Sequence, residues 1–118
     1  MIEGYQYADQ GKTIDLGAIL EGGSTEVIKC IGFDHCAIAF TVLTIGTSVD
    51  VKLETSVDGT NFTHWDQDGT DYQIGTNKTA VLVHTYCATV PYVKATWVSK
   101  VGGTPTMSLT ARVGKGAV

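Results

Sequence analysis

The chain has 118 residues, enough for one domain with its own hydrophobic core, and its 8 basic and 12 acidic residues leave a formal net charge of −4. Arg112 is the sole arginine and the lysines are scattered from Lys12 to Lys115, so no basic stripe is available to displace counterions from phosphates, which excludes nucleic acid as a direct partner. The N-terminus lacks a basic segment followed by an apolar one, no apolar run approaches the ~18–20 residues that span a bilayer, and the acidic balance opposes anionic lipid; a soluble chain made in the cytosol, with no membrane partner, is expected.

Residues 1–11 read as an extended arm preceding a single domain over residues 12–118. Gly4 and Gly11 bracket a polar stretch in which Tyr5 and Tyr7, two positions apart, project to the same side of an extended chain, as docking on a neighbour requires. No segment sustains a helical period; Leu16 to Glu21 is the nearest candidate and is short. β-Branched residues and regularly spaced glycines instead predict nine short strands, at about 12–20, 24–31, 35–45, 49–57, 61–65, 71–74, 79–86, 91–101 and 105–113.

Three of these strands alternate cleanly. Val49, Val51, Leu53, Thr55 and Val57 face one way, with Asp50, Lys52 and Glu54 between them. Val93, Ala95, Trp97, Ser99 and Val101 form a second such row, and Met107, Leu109, Ala111 and Val113 a third. Period two means one buried face and one wet face. Ala37 to Ile45 is different, being apolar on both faces. One side belongs in the core and the other is available to a neighbouring subunit, which makes Phe40 and Leu43 candidate interface residues. Short strands with a turn signal every 8–12 residues predict an all-β, two-sheet antiparallel sandwich, jelly-roll-like, with an immunoglobulin-like Greek key as the alternative.

The most distinctive segment is an alternating strand that ends in Ser56-Val57-Asp58-Gly59-Thr60-Asn61-Phe62. Asp58-Gly59 reads as the positive-φ pair of a tight hairpin turn, with Phe62 folding back over the rim. This Ser-x-Asp-Gly-Thr-Asn-aromatic run resembles one found in small β-sandwich virion proteins of tailed bacteriophages. Looser similarity extends to Ile14-Asp15-Leu16-Gly17-Ala18, to Pro91-Tyr92-Val93-Lys94-Ala95-Thr96-Trp97 and to the closing strand from Thr106 to Val113, with Lys94 standing where the family commonly has arginine. The resemblance implies a capsid decoration, or cement, protein on the virion exterior. Such a protein is a homotrimer that binds the major capsid protein and stabilises the head without a cofactor. Head fibres and tail accessories that bind carbohydrate are the alternative within the same resemblance. The charged fraction of 17%, low against the usual ~25%, fits a chain covered by partners and equally a threonine-rich wet surface.

Other clusters carry residue types capable of chemistry. Asp66, Asp68 and Asp71 with Gly69 could form a simple calcium loop, although Asn77 occupies the place where an EF-hand needs glutamate; a solvated acidic turn fits better. Cys30, His35 and Cys36 lack the paired spacing of a zinc site. An odd set of cysteines (Cys30, Cys36, Cys87) reads as free, buried and small. Phe62, Trp65 and Tyr72 offer a sugar-stacking platform only if exposed together, and His64 and His84 are expected at a surface or interface. No nucleophile elbow, phosphate loop or metalloprotease motif occurs, so no catalysis is expected.

Overall fold

The computed structural model describes residues 11–43, 48–75 and 77–115. Nine strands form among them: β1 (Gly11–Ile19), β2 (Ile28–Lys29), β3 (His35–Leu43), β4 (Ser48–Ser56), β5 (Thr63–His64), β6 (Tyr72–Ile74), β7 (Lys78–His84), β8 (Tyr92–Val101) and β9 (Thr106–Gly114). They build two antiparallel sheets. One has the order β1-β9-β3-β7; the other has the order β2-β8-β4-β5, with β6 also pairing with β4. The pairings β1·β9, β2·β8, β3·β7 and β4·β5/β6 are those of one long hairpin rolled over on itself, and β3·β9 and β4·β8 close the two sheets. This is the jelly roll, not the immunoglobulin-like key.

The alternating residues supply the core. Cys36, Ile38, Phe40 and Val42 of β3 and Met107, Leu109, Ala111 and Val113 of β9 point inward from the first sheet. They meet Val49, Val51 and Leu53 of β4 and Val93, Ala95 and Trp97 of β8 from the second. Each of the larger side chains contributes roughly 1.5–3 kcal/mol by leaving water.

Two strands change phase along their length. In β1 the register slips between Asp15 and Gly17. Gly17 takes φ +72° and donates its N–H to Asp15 Oδ1 at 2.9 Å, so Ile14 and Leu16 pack against the core before the bulge and Ile19 is buried after it. In β8 a second slip pairs Val51 with Trp97 and Asp50 with Ser99. The expected single row from Val93 to Val101 therefore ends at Trp97, and Val101 is exposed.

The strand expected at 24–31 is ordered but broken. Only Ile28–Lys29 are ladder residues, yet the whole segment runs along the edge of β8. Gly22 N–H donates to Trp97 O, Trp97 N–H to Gly23 O, Thr25 N–H to Ala95 O and Cys30 N–H to Pro91 O, at 2.7–3.0 Å. Ala95 N–H is met by the Thr25 hydroxyl oxygen at 3.0 Å, so a side chain replaces a backbone acceptor and interrupts the edge.

Phe40, fully buried, sits where the two sheets face each other. Phe40→Ala is expected to cost roughly 3–5 kcal/mol, read as a lower denaturant midpoint with an unchanged slope.

Candidate interaction surface

The sequence motif forms a single wide loop. β4 ends at Ser56, β5 begins at Thr63, and Thr55 pairs with Thr63, so Val57 to Phe62 span the tip of the rolled hairpin. The expected two-residue turn is replaced by a side-chain-closed loop in which Gly59 is left-handed, at φ +80°. The Ser56 hydroxyl oxygen accepts the N–H of Asp58 at 3.2 Å and of Gly59 at 2.9 Å, and its own O–H donates to Asp58 Oδ1 at 2.8 Å. Asp58 Oδ1 also accepts the N–H of Thr60 and of Asn61, and Oδ2 accepts the Asn61 amide, all at 2.8 Å. Those donors, the Asn61 N–H first, hold the Asp58 carboxyl far below the usual carboxylate range. Lys94 Nζ lies 4.6 Å above the Phe62 ring, a cation–π contact. Ser56, Asp58, Gly59, Asn61 and Phe62 are thus brought together as loop architecture.

Two carboxylates of the acidic segment are engaged in local hydrogen bonds. Asp66 Oδ1 accepts the N–H of Asp68 at 2.9 Å, and Asp71 turns to His64 Nε2, also at 2.9 Å. Among the described residues no three His, Cys, Asp or Glu side chains are grouped as ligands for a metal ion, and Asp66, Asp68 and Asp71 do not converge. His64 is half-buried and accepts the Asp66 N–H on Nδ1, which leaves Nε2 as the proton-bearing nitrogen toward Asp71. His84, expected near the surface, is buried, with Nε2 2.8 Å from Val90 O. Trp65 is half-buried against the core, and its indole N–H donates to Val83 O at 3.4 Å.

An open groove of about 260 Å³ lies between the end of β1 and the start of β9, lined by Ile19, Leu20, Trp97, Pro105 and Met107 among others. Its polar rim is committed internally: Lys100 N–H donates to Glu21 Oε2 at 3.0 Å and Lys100 Nζ to Gly103 O at 2.8 Å.

The outer faces of the two sheets differ sharply. On the β4–β8 sheet the outward side chains include Asp50, Lys52, Glu54 and Lys94, with Glu54 directly opposite Lys94. On the other sheet, Ala37, Ala39, Thr41 and Leu43 of β3 lie beside Val83, Val81 and Thr79 of β7, and none of them carries charge. Leu43 is 58% exposed, Val81 56% and Val83 41%. Charge appears on this face beside β3, where Arg112 of β9 stands opposite Ala37, and farther off as Asp15 on β1. The doubly apolar strand therefore divides as its spacing requires. Leu43 is on the surface, whereas Phe40 is a core residue and is unavailable to a neighbour. Tyr5 and Tyr7 lie outside the described residues. β7, expected as a strand but not as part of an interface, adds the two exposed valines; the signal is the unbroken apolar run from Ala80 to Val83.

No protein-family model matches the sequence, and no curated protein matches it. Among solved structures, the fold is similar to that of the SPBc2 prophage-derived protein YomS, with a TM-score of 0.59 at 14% identity over 87% of this chain and 91% of that one. Looser overlays, with TM-scores of 0.42 and 0.38, are found with a Bacillus endospore appendage subunit (15% identity; 90% of this chain, 86% of that one) and with the Yersinia pseudotuberculosis-derived mitogen (10% identity; 92% and 87%).

Two measurements check the loop. The folded-state pKa of Asp58 lies below its unfolded value of about 3.9. Its contribution is therefore present above about pH 4 and is lost as pH falls toward the folded value. Asp58→Asn should unfold earlier than the parent chain at pH 7, and the gap between their urea midpoints should close progressively below about pH 4. At Gly59 an added Cβ would lie 3.3 Å from the Tyr92 ring on a left-handed backbone, so Gly59→Ala should cost at least ~1–2 kcal/mol in the same assay.

Proposed function

We propose that the chain is a bacteriophage virion structural protein: a capsid decoration protein that binds the major capsid protein as a homotrimer on the head exterior. The observation that carries this reading is the uncharged outer face of β3 and β7. β7 is an edge strand, and a long apolar edge left in water invites pairing with another chain. A partner that covers Val81, Val83 and Leu43 removes that liability and uses the same area for binding. The phage assignment is supported by the Ser56-to-Phe62 run and by the likeness of the fold to a prophage-derived protein. The role is mechanical, with no catalysis and no cofactor.

Contacts of standard size bury ~800 Å² per partner, and association costs offset much of the gross gain of about 25 cal/mol per Å². Repetition over a shell makes even a modest surplus count. The sheet carrying Lys52 and Lys94 remains toward solvent in this arrangement.

The test is a binding and stability assay on heads stripped of the protein. Val81→Lys combined with Leu43→Lys places two charges in the contact. At least a tenfold loss of affinity for stripped heads is expected, with the isolated chain's unfolding midpoint nearly unchanged. Heads carrying the parent chain should rupture at a higher temperature than bare heads. Binding of the double variant at parental strength, or identical rupture temperatures with and without the chain, would overturn the proposal.

A further inference from the structure

The inward row of β4 ends on a hydroxyl. Val49, Val51 and Leu53 are followed in the same phase by Thr55, which is only 8% exposed. Its backbone is paired, with Thr63 on one side and Val93 on the other, but its hydroxyl makes no hydrogen bond among the described residues. A buried hydroxyl without a partner costs free energy unless water or a ligand meets it. Thr55 lines an open pocket of about 200 Å³. Trp65 and Gln67, from the connection between β5 and β6, form part of its wall, and His84, Thr85 and Tyr86, from the end of β7 and the connection to β8, form the rest.

We propose that this pocket binds one neutral sugar ring, a pyranose whose C–H face packs on the aromatic walls and whose hydroxyls meet Thr55 and the polar rim. The ring is presented equally by a free monosaccharide and by the end residue of a glycan. Drug-sized ligands occupy sites of ~300–1,000 Å³, so a pocket of about 200 Å³ takes a smaller molecule, a single ring and not a chain of them.

The chemistry of the lining selects this class. No carboxylate, lysine or arginine lines the pocket, so it offers nothing to an ion. Two aromatic rings line it. Trp65 is steadied by its indole N–H to Val83 O and by His64 stacked 6.2 Å away. Tyr86 is 68% exposed and meets His84 edge-on at 6.2 Å, while its carbonyl accepts the N–H of Thr89 at 3.1 Å and of Val90 at 2.8 Å. An aromatic face carries partial negative charge and attracts the partly positive C–H face of a pyranose. The remaining groups are uncharged and unspent: the Gln67 amide and the Thr85 and Tyr86 hydroxyls, like that of Thr55, make no hydrogen bond among the described residues. Hydroxyls and an amide both donate and accept, which suits a ligand made of hydroxyl groups. The site is separate from the capsid reading and holds whether or not the β3–β7 face is covered by a partner.

The experiment titrates the isotope-labelled full chain with glucose, galactose, mannose, rhamnose and N-acetylglucosamine, each as the free sugar and as its methyl pyranoside, and follows the amide signals by NMR. At least one ring should give saturable shifts at Thr55, Gln67, Thr85 and Tyr86, with a Kd on the order of 1 mM, as a small ligand in an open site implies. Equal binding of free sugar and glycoside supports the site and identifies a monosaccharide as sufficient; tighter binding of the glycoside supports it and identifies the end of a glycan. Tyr86→Ala should weaken binding at least tenfold, and Thr55→Val about fivefold. Thr55→Val should also unfold at a urea midpoint no lower than the parent's, because no internal hydrogen bond is lost. The proposal is overturned if no sugar of the panel shifts these signals, or if the shifts lie elsewhere on the chain. It is equally overturned if both variants bind at parental strength, or if Thr55→Val loses stability while binding is unchanged.

Discussion

Everything in this molecule depends on the register between β3 and β9 in one sheet and β4 and β8 in the other. With Phe40 opposite Leu109 and Leu53 opposite Ala95, every second residue of four long strands enters one shared interior. A slip of one residue would reverse each row, sending Ile38 and Phe40 into water and Ala37 and Ala39 into the core. The bulges in β1 and β8 act within this constraint. Each inserts one residue where a strand leaves the core, so that Ile19 returns inward and Val101 turns outward without disturbing the central rows. At the hairpin tip, Asp58 takes over the pairing of backbone donors that the ladder no longer satisfies.

The same register creates the difference between the outer faces. Where β4 lies beside β8, outward positions carry Asp50, Lys52 and Glu54, with Glu54 facing Lys94, a surface suited to water. Where β3 lies beside β7, the outward positions are alanine, threonine, valine and leucine. Alanine at 37 and 39 keeps this face shallow, and shallow faces pack closely against a flat partner. The polar cluster beside the hairpin tip is paired internally: Asp71 meets His64, and His64 and Asp66 accept local backbone N–H groups.

Much of the fold was legible because alternation is a local signal. All nine strands fall where β-branched residues and glycine turns place them, and the segment around Thr25 is among the parts less regular than expected. Its interruption depends on a threonine hydroxyl replacing a carbonyl across to Ala95, a long-range event with no local trace. The interface residues were half legible. Ala37 to Leu43 announced two apolar faces, but only the strand's phase in the fold decides that Phe40 is core and Leu43 surface. The valines of β7 join Leu43 on that face because β3 and β7, far apart in sequence, are neighbours in the roll.

Hydroxyl-radical footprinting of the chain, free in solution and seated on intact heads, tests the central claim most directly. If the uncharged β3–β7 face is the contact, Leu43, Val81 and Val83 lose reactivity on the particle while side chains around Lys52 and Lys94 keep theirs. Protection of the charged sheet, with the valines as reactive as in free protein, would contradict the account.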